Sequence, residues 1–172
     1  MLIEKRITKN FDDFDLFWQL YQTAFPEEER LPLVFLFGKN QESDLIACYD
    51  ETTFCGFYST VTFGDITHIM FFAIQEELRD RGYGSQVLHL IAERYSGNRI
   101  ILDIEAEDPK AANNHQRIRR KAFYKRNGYT ESEIAYIWRT VPYQILIQNG
   151  TITSSEFSAF CVRLEQMRKT LQ

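Results

Sequence analysis

The sequence lacks several features that mark whole classes of protein. Its 20 Lys and Arg residues against 24 Asp and Glu residues give a net charge of -4, so the basic excess of a general nucleic-acid clamp is missing. The longest stretches without a charged residue, 52–64 and 140–155, are too short and too polar to cross a bilayer. No apolar signal segment follows the N-terminus. We therefore expect a cytoplasmic protein that binds neither nucleic acid nor a membrane.

Patterns for metals, disulfides and nucleotides are equally scarce. Cys48, Cys55 and Cys161 form no CxxC pair and have apolar neighbours, which is typical of reduced, buried thiols. The three histidines fall in separate predicted elements without metal-ligand spacing, so we expect no metal site. A Gly-Lys-Ser/Thr phosphate loop is absent, and no dinucleotide fingerprint follows a first strand. Nucleotide hydrolysis and dinucleotide binding are therefore not expected.

What the sequence does contain is the material for one folded domain. Its 172 residues are 44% hydrophobic and include 14 Phe and 9 Tyr, which is typical of a domain whose core is rich in aromatic rings. We predict a single domain over 1–172, in which 151–172 forms a helical extension. Thr153 and Glu156 form a capping box for that helix. Its apolar stripe would pack on the sheet of a monomer or against the second copy of a homodimer.

The order of periodic segments predicts an α/β (α+β) fold. Helical spacing and helix-stop residues predict helices over 10–25, 31–37, 82–95, 115–127 and 153–171. Runs of β-branched and aromatic residues predict strands over 45–49, 53–62, 66–74, 99–106, 133–139 and 143–148. Short turns join the first three strands, so these should pair antiparallel, and Pro142 should separate the last two. We expect a mixed, mostly antiparallel central sheet of about six or seven strands, flanked by helices.

The segment from Arg79 to Ser85 carries the clearest chemical signal. It joins a predicted strand to a predicted helix through the pattern R-x-x-G-x-G. The first amides of a helix have no partner within the helix, and the helix dipole favours negative charge there. Gly82 and Gly84 would let those amides approach a phosphate, while Arg79 and Arg81 would donate charge-assisted hydrogen bonds. The pattern indicates a phosphate site, with a tight turn and solvated arginines as the alternative interpretation.

Two further segments extend this pattern along the chain. A strand with alternating faces covers 100–105, and the segment 123–129 reads F-Y-K-R-N-G-Y. In this order the motifs resemble the GNAT superfamily of acyl-CoA-dependent N-acyltransferases, whose members carry a similar F-Y-x-x-x-G-F/Y segment. The residues at 24–30 are also similar to a segment between the first helices of some members. The resemblance extends through Gln148, and it implies a GNAT-like sheet with splayed fourth and fifth strands.

The resemblance implies acetyl-CoA, without a metal, as the second substrate. The end of the fourth strand would pair with the pantetheine arm, because a strand edge offers free amides and carbonyls, and the glycine turn would hold the pyrophosphate. Many members carry Asn seven residues before the tyrosine. Here that residue is Arg117, which we interpret either as a cofactor contact or as part of a charged helix face. The predicted cofactor-binding residues are Phe72, Ala73, Ile74, Arg79, Asp80, Arg81, Gly82, Tyr83, Gly84, Ser85 and Arg117.

The resemblance also implies an N-acetyltransferase that works by direct attack of an amine in a ternary complex. Tyr124 corresponds to the family's acid and would protonate the departing thiolate, unless its ring only fills the core. Glu105 is the predicted base, because it lies centrally on the face that it shares with Asp103, with Glu28 and Glu29 as alternatives. A solvated acidic strand face is the structural alternative.

The acceptor is expected to be a primary amine of a small molecule or peptide. Glu28, Glu29 and Asp103 are the predicted acceptor-binding residues, and their charge would suit a cationic amine. A non-catalytic acyl-CoA-binding sensor or interaction module remains the alternative function, because a fold alone does not guarantee chemistry.

Overall fold

The computed structural model describes residues 1–38 and 41–171. Over these residues the chain forms seven strands, which are β1 (Ile3–Arg6), β2 (Ser43–Asp50), β3 (Thr53–Phe63), β4 (Ile66–Ile74), β5 (Arg99–Glu105), β6 (Thr130–Trp138) and β7 (Val141–Gln148). The same part of the chain forms five α-helices, which are α1 (Phe14–Ala24), α2 (Leu33–Phe37), α3 (Tyr83–Arg94), α4 (Asn114–Arg126) and α5 (Ser154–Thr170). Short 3₁₀ turns lie at Glu27–Glu29 and Glu76–Leu78.

The predicted helices and strands are all found, with bounds that differ by a few residues. α1 begins at Phe14 rather than near Asn10, and its N-cap, Asp13, makes no side-chain capping hydrogen bond. Pro142 lies inside β7 rather than between strands, where it is opposite Ile137 of β6. The prediction of a buried thiol is wrong for Cys161, because α5 leaves that side exposed, whereas Cys48 and Cys55 are buried.

The N-terminal strand, β1, is absent from the sequence prediction. Its four residues, I-E-K-R, include one apolar side chain and no alternation of apolar and polar residues. The strand forms because its backbone pairs antiparallel with β2, placing Ile3 opposite Tyr49 and Arg6 opposite Ile46. Pairing with a neighbour therefore creates a strand that the local pattern does not indicate.

The strands form one sheet in the order β1-β2-β3-β4-β5-β7-β6, which confirms the predicted mixed, mostly antiparallel architecture. β4 and β5 are parallel, and every other neighbouring pair is antiparallel in the described part of the chain. The parallel pair is short, since it runs only from Ile66 opposite Arg99 to Ile69 opposite Leu102. Beyond these residues the two strands continue without pairing, so the sheet opens between their C-terminal ends.

A β-bulge in β4 lies where the pairing with β5 stops. Thr60 of β3 is opposite Ile69 and Ser59 is opposite Phe71, so Met70 is the extra residue. Both Met70 and Phe71 pack into the cluster formed with α1, α2 and α5, whereas Ile69 and Phe72 pack into the cluster under α3 and α4. We call these two sides the α1–α5 face and the α3–α4 face. Because of the bulge, two consecutive side chains of β4 pack on the same face, directly after the last residue that pairs with β5.

α5 packs on the sheet along its predicted stripe. Phe160 and Met167 are buried in the core of the α1–α5 face, and Phe157, Leu164 and Leu171 pack against that core. Thr153 and Glu156 form the predicted capping box, with both reciprocal hydrogen bonds present. Among the residues described, no helix combines the length and apolar character needed to cross a membrane.

Candidate active site

The turn between β4 and α3 presents a series of backbone amides without protein partners. After the 3₁₀ turn at Glu76–Leu78, Asp80 has φ +61° and Gly82 has φ +83°, which turns the chain sharply into α3. Within residues 1–38 and 41–171, no protein acceptor takes a hydrogen bond from the amides of the 80–85 segment, and the first amide of the series to be bonded is that of Gln86, to Gly82. A run of unpaired amides at a helix start is an anion-binding arrangement.

The two glycines of this turn serve different purposes. Gly82 has a left-handed conformation, and a Cβ built there would have no neighbour within 4 Å. At Gly84 a Cβ would lie 3.0 Å from Cζ of Phe123, a residue of α4. Gly82 is therefore needed for its backbone conformation, whereas Gly84 is needed so that the start of α3 can approach α4 closely.

The arginines of the turn lie at the surface around these amides. Arg79 donates from Nε to the carbonyl oxygen of Ile74, at 3.4 Å, and so contacts the last residue of β4. Asp80 is exposed and lies 3.7 Å from Arg119 of α4. Arg79 and Arg81 both have exposed side chains, so their guanidinium groups remain available to an anion at this surface.

The open side of β4 leads from this turn into the gap in the sheet. Phe72 and Ile74 project to the α3–α4 face and Ala73 to the α1–α5 face. On its other side β4 continues to pair with β3 through Gly56, which is opposite Ile74. Since β5 has diverged, the backbone groups on the open side have no strand partner in the part of the chain that the structure describes.

Tyr124 lies near the end of α4, on the α3–α4 face of the opening. Its ring packs edge-on against Phe123, at 5.2 Å between centroids, and against Tyr129, at 5.7 Å. Burial raises the pKa of Tyr124 to about 12, an effect that the charge of Arg120 partly offsets. Its hydroxyl makes no hydrogen bond to any described residue. The group therefore stays protonated near neutral pH and can donate to a ligand.

Glu105 and Arg117 form an ion pair at the C-terminal end of β5. Arg117 Nη2 lies 2.8 Å from Oε2 of Glu105, and the same oxygen accepts from Nδ2 of Asn113 at 3.3 Å. Arg117 also donates to Oδ1 of Asn113 and to the carbonyl of Ala106, both at 2.9 Å. With only 8% of its surface exposed, Arg117 is not part of a solvated helix face. Glu105 and Arg117, which the sequence analysis assigned to different parts of the site, thus form an ion pair.

Asp103 lies one alternation earlier on β5 and is fully engaged. His68 Nε2 lies 2.7 Å from its Oδ1, and the hydroxyl of Tyr136 donates to its Oδ2. Burial alone would raise the pKa of Asp103, but the interactions with His68 and Tyr136 outweigh it and hold this pKa below its usual value. Asp103 therefore remains an anion within a hydrogen-bonded cluster that joins β4, β5 and β6.

Glu29 reaches the same region from the segment between α1 and α2. The hydroxyl of Tyr143 donates to its Oε1 at 3.2 Å, and Tyr143 is the residue of β7 directly opposite Glu105. Burial raises the pKa of Glu29, the hydrogen bond from Tyr143 lowers it, and the negative charges of Glu105 and Glu28 raise it further. Glu28 itself is exposed on the 3₁₀ turn.

Sequence reasoning missed three residues that hold the acidic groups. His68, Tyr136 and Tyr143 contact Asp103 or Glu29 from other strands, and no local motif identifies them. Each of the three lies in a predicted strand, but the position of Tyr143 opposite Glu105 follows from the register of β7 with β5 rather than from a sequence pattern. Among the described residues, no group of three or more His, Cys, Asp or Glu side chains has the arrangement of a metal site.

Two surface hollows lie elsewhere on the molecule. One, of about 380 Å³, is lined by Phe14, Leu33 and Phe37 on the α1–α5 face. The other, of about 420 Å³, lies between the N-terminus and α3, with Leu2, Ser85 and His89 in its wall. Neither includes Tyr124 or Glu105, so the chemistry-bearing groups are assigned from the gap between β4 and β5 rather than from the volume of a cavity.

Comparison with known proteins gives a family and a consistent set of structures. The family model described as "Acetyltransferase (GNAT) domain" matches residues 41–131. No curated protein sequence matches the chain. A putative GNAT-family acetyltransferase from Bacteroides thetaiotaomicron is 21% identical, with a TM-score of 0.77 over 94% of this chain and 95% of that one.

Two further solved structures are similar in fold at lower identity. The ribosomal-protein-S18-alanine N-acetyltransferase from Escherichia coli is 14% identical, with a TM-score of 0.65 over 90% of this chain and 97% of that one. An aminoglycoside 6'-N-acetyltransferase complexed with coenzyme A is also 14% identical, with a TM-score of 0.62 over 85% of this chain and 96% of that one. At these identities the likeness establishes the fold.

Proposed function

This chain belongs to the GNAT family of acetyltransferases and depends on acyl-CoA, and from that premise we propose that it transfers an acetyl group from acetyl-CoA directly to a primary amine. The observation that carries the proposal is the gap between β4 and β5, which has unpaired amides at one end and an unbonded tyrosine hydroxyl at its side. Acetyl-CoA supplies the activated thioester, and the residues of the chain bind, orient and exchange protons with the two substrates.

The first part of the proposal concerns the pyrophosphate of the donor. The amides from Asp80 to Ser85 have no acceptor in the described chain, and an unpaired amide that binds a phosphate oxygen recovers the hydrogen bond that it otherwise lacks. Arg79 and Arg81 add positive charge at the rim. The open edge at Phe72, Ala73 and Ile74 would hold the extended arm of the donor by main-chain hydrogen bonds.

The second part concerns the reacting centre. The amine first loses one proton to solvent, and its neutral nitrogen then forms a bond to the thioester carbon as the carbon–sulfur bond breaks. One proton leaves the nitrogen to a carboxylate on the α1–α5 face, and the hydroxyl of Tyr124 gives a proton to the departing sulfur. Free backbone amides of β4 near the bulge would polarise the carbonyl. The two proton-exchanging groups thus approach the gap from opposite faces of the sheet.

The third part concerns the acceptor. Glu28, Glu29, Glu105 and Asp103 give the α1–α5 side of the opening a negative character, which would favour a cationic amine over a neutral or anionic one. The structural relatives named above act, by their titles, on a ribosomal protein and on aminoglycosides. We propose a cationic small molecule or peptide amine as the acceptor class.

The variant Tyr124→Phe tests whether Tyr124 is the acid that protonates the departing sulfur. It removes one hydroxyl and leaves the ring, so kcat for CoA release should fall by about 10²-fold, the usual contribution of a positioned acid. The Kd for acetyl-CoA should stay unchanged, because the pyrophosphate site lies in the β4–α3 turn. Turnover can be followed by thiol release and affinity by titration calorimetry.

Tyr129→Phe provides the matched control. Tyr129 is buried beside Tyr124, and its hydroxyl has no hydrogen-bond partner in the described chain, so its removal should leave kcat unaltered and stability unchanged or slightly higher. Equal loss of turnover in both variants, or full turnover in Tyr124→Phe, would contradict the role assigned to Tyr124.

A further inference from the structure

The identity of the proton acceptor for the amine can be read from the partners of the acidic groups, given the proposed function. Three carboxylates approach the gap on the α1–α5 face, namely Asp103, Glu105 and Glu29. A base must keep a lone pair open to the substrate and must gain a proton readily. These requirements distinguish the three groups, because each is held by different neighbours.

Asp103 is excluded by its hydrogen bonds. One of its oxygens interacts with Nε2 of His68 at 2.7 Å, and the other accepts the hydroxyl proton of Tyr136. Both partners stabilise the charged form. Protonation of Asp103 would break this cluster, so the group is suited to holding β4, β5 and β6 together at the splay.

Glu105 is a poor candidate for the base because it is paired with a cation. The guanidinium of Arg117, itself buried, lies 2.8 Å from Oε2 of Glu105 and is locked by Asn113 and by the carbonyl of Ala106. The second oxygen, Oε1, has no partner in the described chain. A proton on either oxygen would still remove the charge that compensates the buried guanidinium, and an unpaired buried charge is costly. Glu105 is therefore better suited as the partner of Arg117 than as a base.

Glu29 meets both requirements. Within the described chain, the only hydrogen bond to its carboxylate comes from a neutral donor, the hydroxyl of Tyr143, to Oε1, which leaves Oε2 open. The segment that carries it, between α1 and α2, reaches β7 at Tyr143, the residue opposite Glu105. The charged groups around it are Glu28 from its own segment, Glu105 from β5 and Arg120 from α4.

We propose that Glu29 is the general base of this enzyme, that Tyr143 is its positioning residue, and that Glu105, paired with Arg117, is a nearby carboxylate that exchanges no proton with the substrate. In the transfer step, the proton from the attacking nitrogen goes to Oε2 of Glu29 as the carbon–nitrogen bond forms. The proton for sulfur comes from Tyr124, and solvent later restores both groups. Burial and the nearby carboxylates raise the pKa of Glu29 toward the working range of a base, in agreement with this role.

The direct kinetic test compares Glu29→Gln with Glu105→Gln. With an amine that wild type acetylates, Glu29→Gln should lower kcat by about 10²-fold or more, the contribution of a general base. Glu105→Gln should lower kcat less, because Glu105 exchanges no proton in this assignment, whereas its thermal midpoint should fall because Arg117 loses its compensating charge. Glu27→Gln, on the same 3₁₀ turn and exposed, is the control and should match wild type. The thermal midpoint and the Kd for CoA of each variant verify folding and donor binding.

The dependence of kcat/KM on pH separates a base from a structural residue. A base works when deprotonated, so kcat/KM falls as the pH drops through its pKa. Tyr143→Phe removes a hydrogen bond that lowers the pKa of Glu29, so the fall should begin at a higher pH. Glu105→Gln removes a charge that raises the same pKa, so the fall should begin at a lower pH. The free amine has the same pKa in every profile. Opposite shifts in the pH at which kcat/KM begins to fall must therefore come from the protein.

A readout without turnover is the ¹³C NMR titration of glutamate side chains in the free protein. The resonance that disappears in Glu29→Gln identifies the group, and it should titrate above the ordinary glutamate value. It should move to higher pH in Tyr143→Phe and to lower pH in Glu105→Gln. This experiment depends on neither acetyl-CoA nor a known amine.

The outcomes distinguish this inference from the proposed function. If wild type acetylates amines while Glu29→Gln keeps full turnover and Glu105→Gln abolishes it, Glu105 is the base and only the assignment to Glu29 fails. If wild type binds CoA but releases none from acetyl-CoA with any amine, the proposed function fails, and the base assignment fails with it. A loss of kcat in Glu29→Gln supports the assignment if the pH profile also shifts to higher pH in Tyr143→Phe and to lower pH in Glu105→Gln.

Discussion

At the scale of single residues, the turn before α3 shows two different reasons for the absence of a side chain. Gly82 has a left-handed backbone with open space where a Cβ would lie, and Gly84 has ordinary helical geometry with Phe123 at contact distance. The R-x-x-G-x-G pattern predicts the turn, but it does not distinguish these two requirements. That distinction depends on Phe123, a residue of α4 that lies about forty positions away along the chain.

The first prediction at this scale concerns Gly82→Ala. A left-handed conformation costs an L-residue with a Cβ about 1–2 kcal/mol, so the free energy of unfolding in urea should fall by about that amount. Gly82→Asn should lose less, because Asn tolerates this conformation better. Because a Cβ at position 82 meets no neighbour, the loss should come from the backbone alone. Equal losses in the two variants would contradict this explanation.

Also at the residue scale, the acidic groups were easier to predict than their partners. The alternation of Asp103 and Glu105 along one strand gives a shared face directly. Their different roles follow from Arg117, His68 and Tyr143, each of which comes from another element. Such partners are set by strand register and helix placement, which a local pattern does not contain.

At the scale of elements, β4 is the strand along which the sheet opens. Its N-terminal half pairs with β5 and its C-terminal half does not, and the bulge at Met70 lies between the two. The sequence predicts the strand over the observed bounds. It does not predict the bulge, because the run from Ile69 to Phe72 is apolar throughout and carries no sign of a change of face.

α5 is the element that the family resemblance leaves unexplained, yet its placement follows from its own sequence. The capping box fixes its start, and its apolar stripe packs on the α1–α5 face. Arg99, at the first residue of β5, donates to Glu156 of α5, to Asp65 and to the carbonyl of Thr151. The helix is thus tied to the same strand that carries Asp103 and Glu105.

The prediction for this element is that Thr153→Ala destabilises the fold. Loss of the N-cap side chain leaves the amide of Glu156 without its acceptor and should reduce the free energy of unfolding by about 1 kcal/mol. Ser155→Ala is the matched control, since Ser155 is exposed within the first turn and caps nothing. Chemical denaturation of both variants provides the measurement, and an equal loss in the control would contradict the capping argument.

At the scale of the whole molecule, the sheet has different groups on its two faces beside the gap between β4 and β5. The α3–α4 face carries the amide turn and Tyr124, whereas the α1–α5 face carries the acidic groups. Because β4 and β5 diverge, the proposed mechanism can use groups from both faces of the sheet at one gap. The element order predicts this layout only through the family resemblance, since periodicity alone gives the strands and not their order in the sheet.

The central claim is that the amides from Asp80 to Ser85 bind the diphosphate of the donor. The most direct measurement is a ¹H–¹⁵N NMR titration of the full chain with CoA, with pantetheine, which lacks the diphosphate, as the comparison ligand. The account predicts that the amides of 80–85 show the largest shifts with CoA and only small ones with pantetheine. CoA that binds while these amides stay unperturbed, or that does not bind at all, would contradict it.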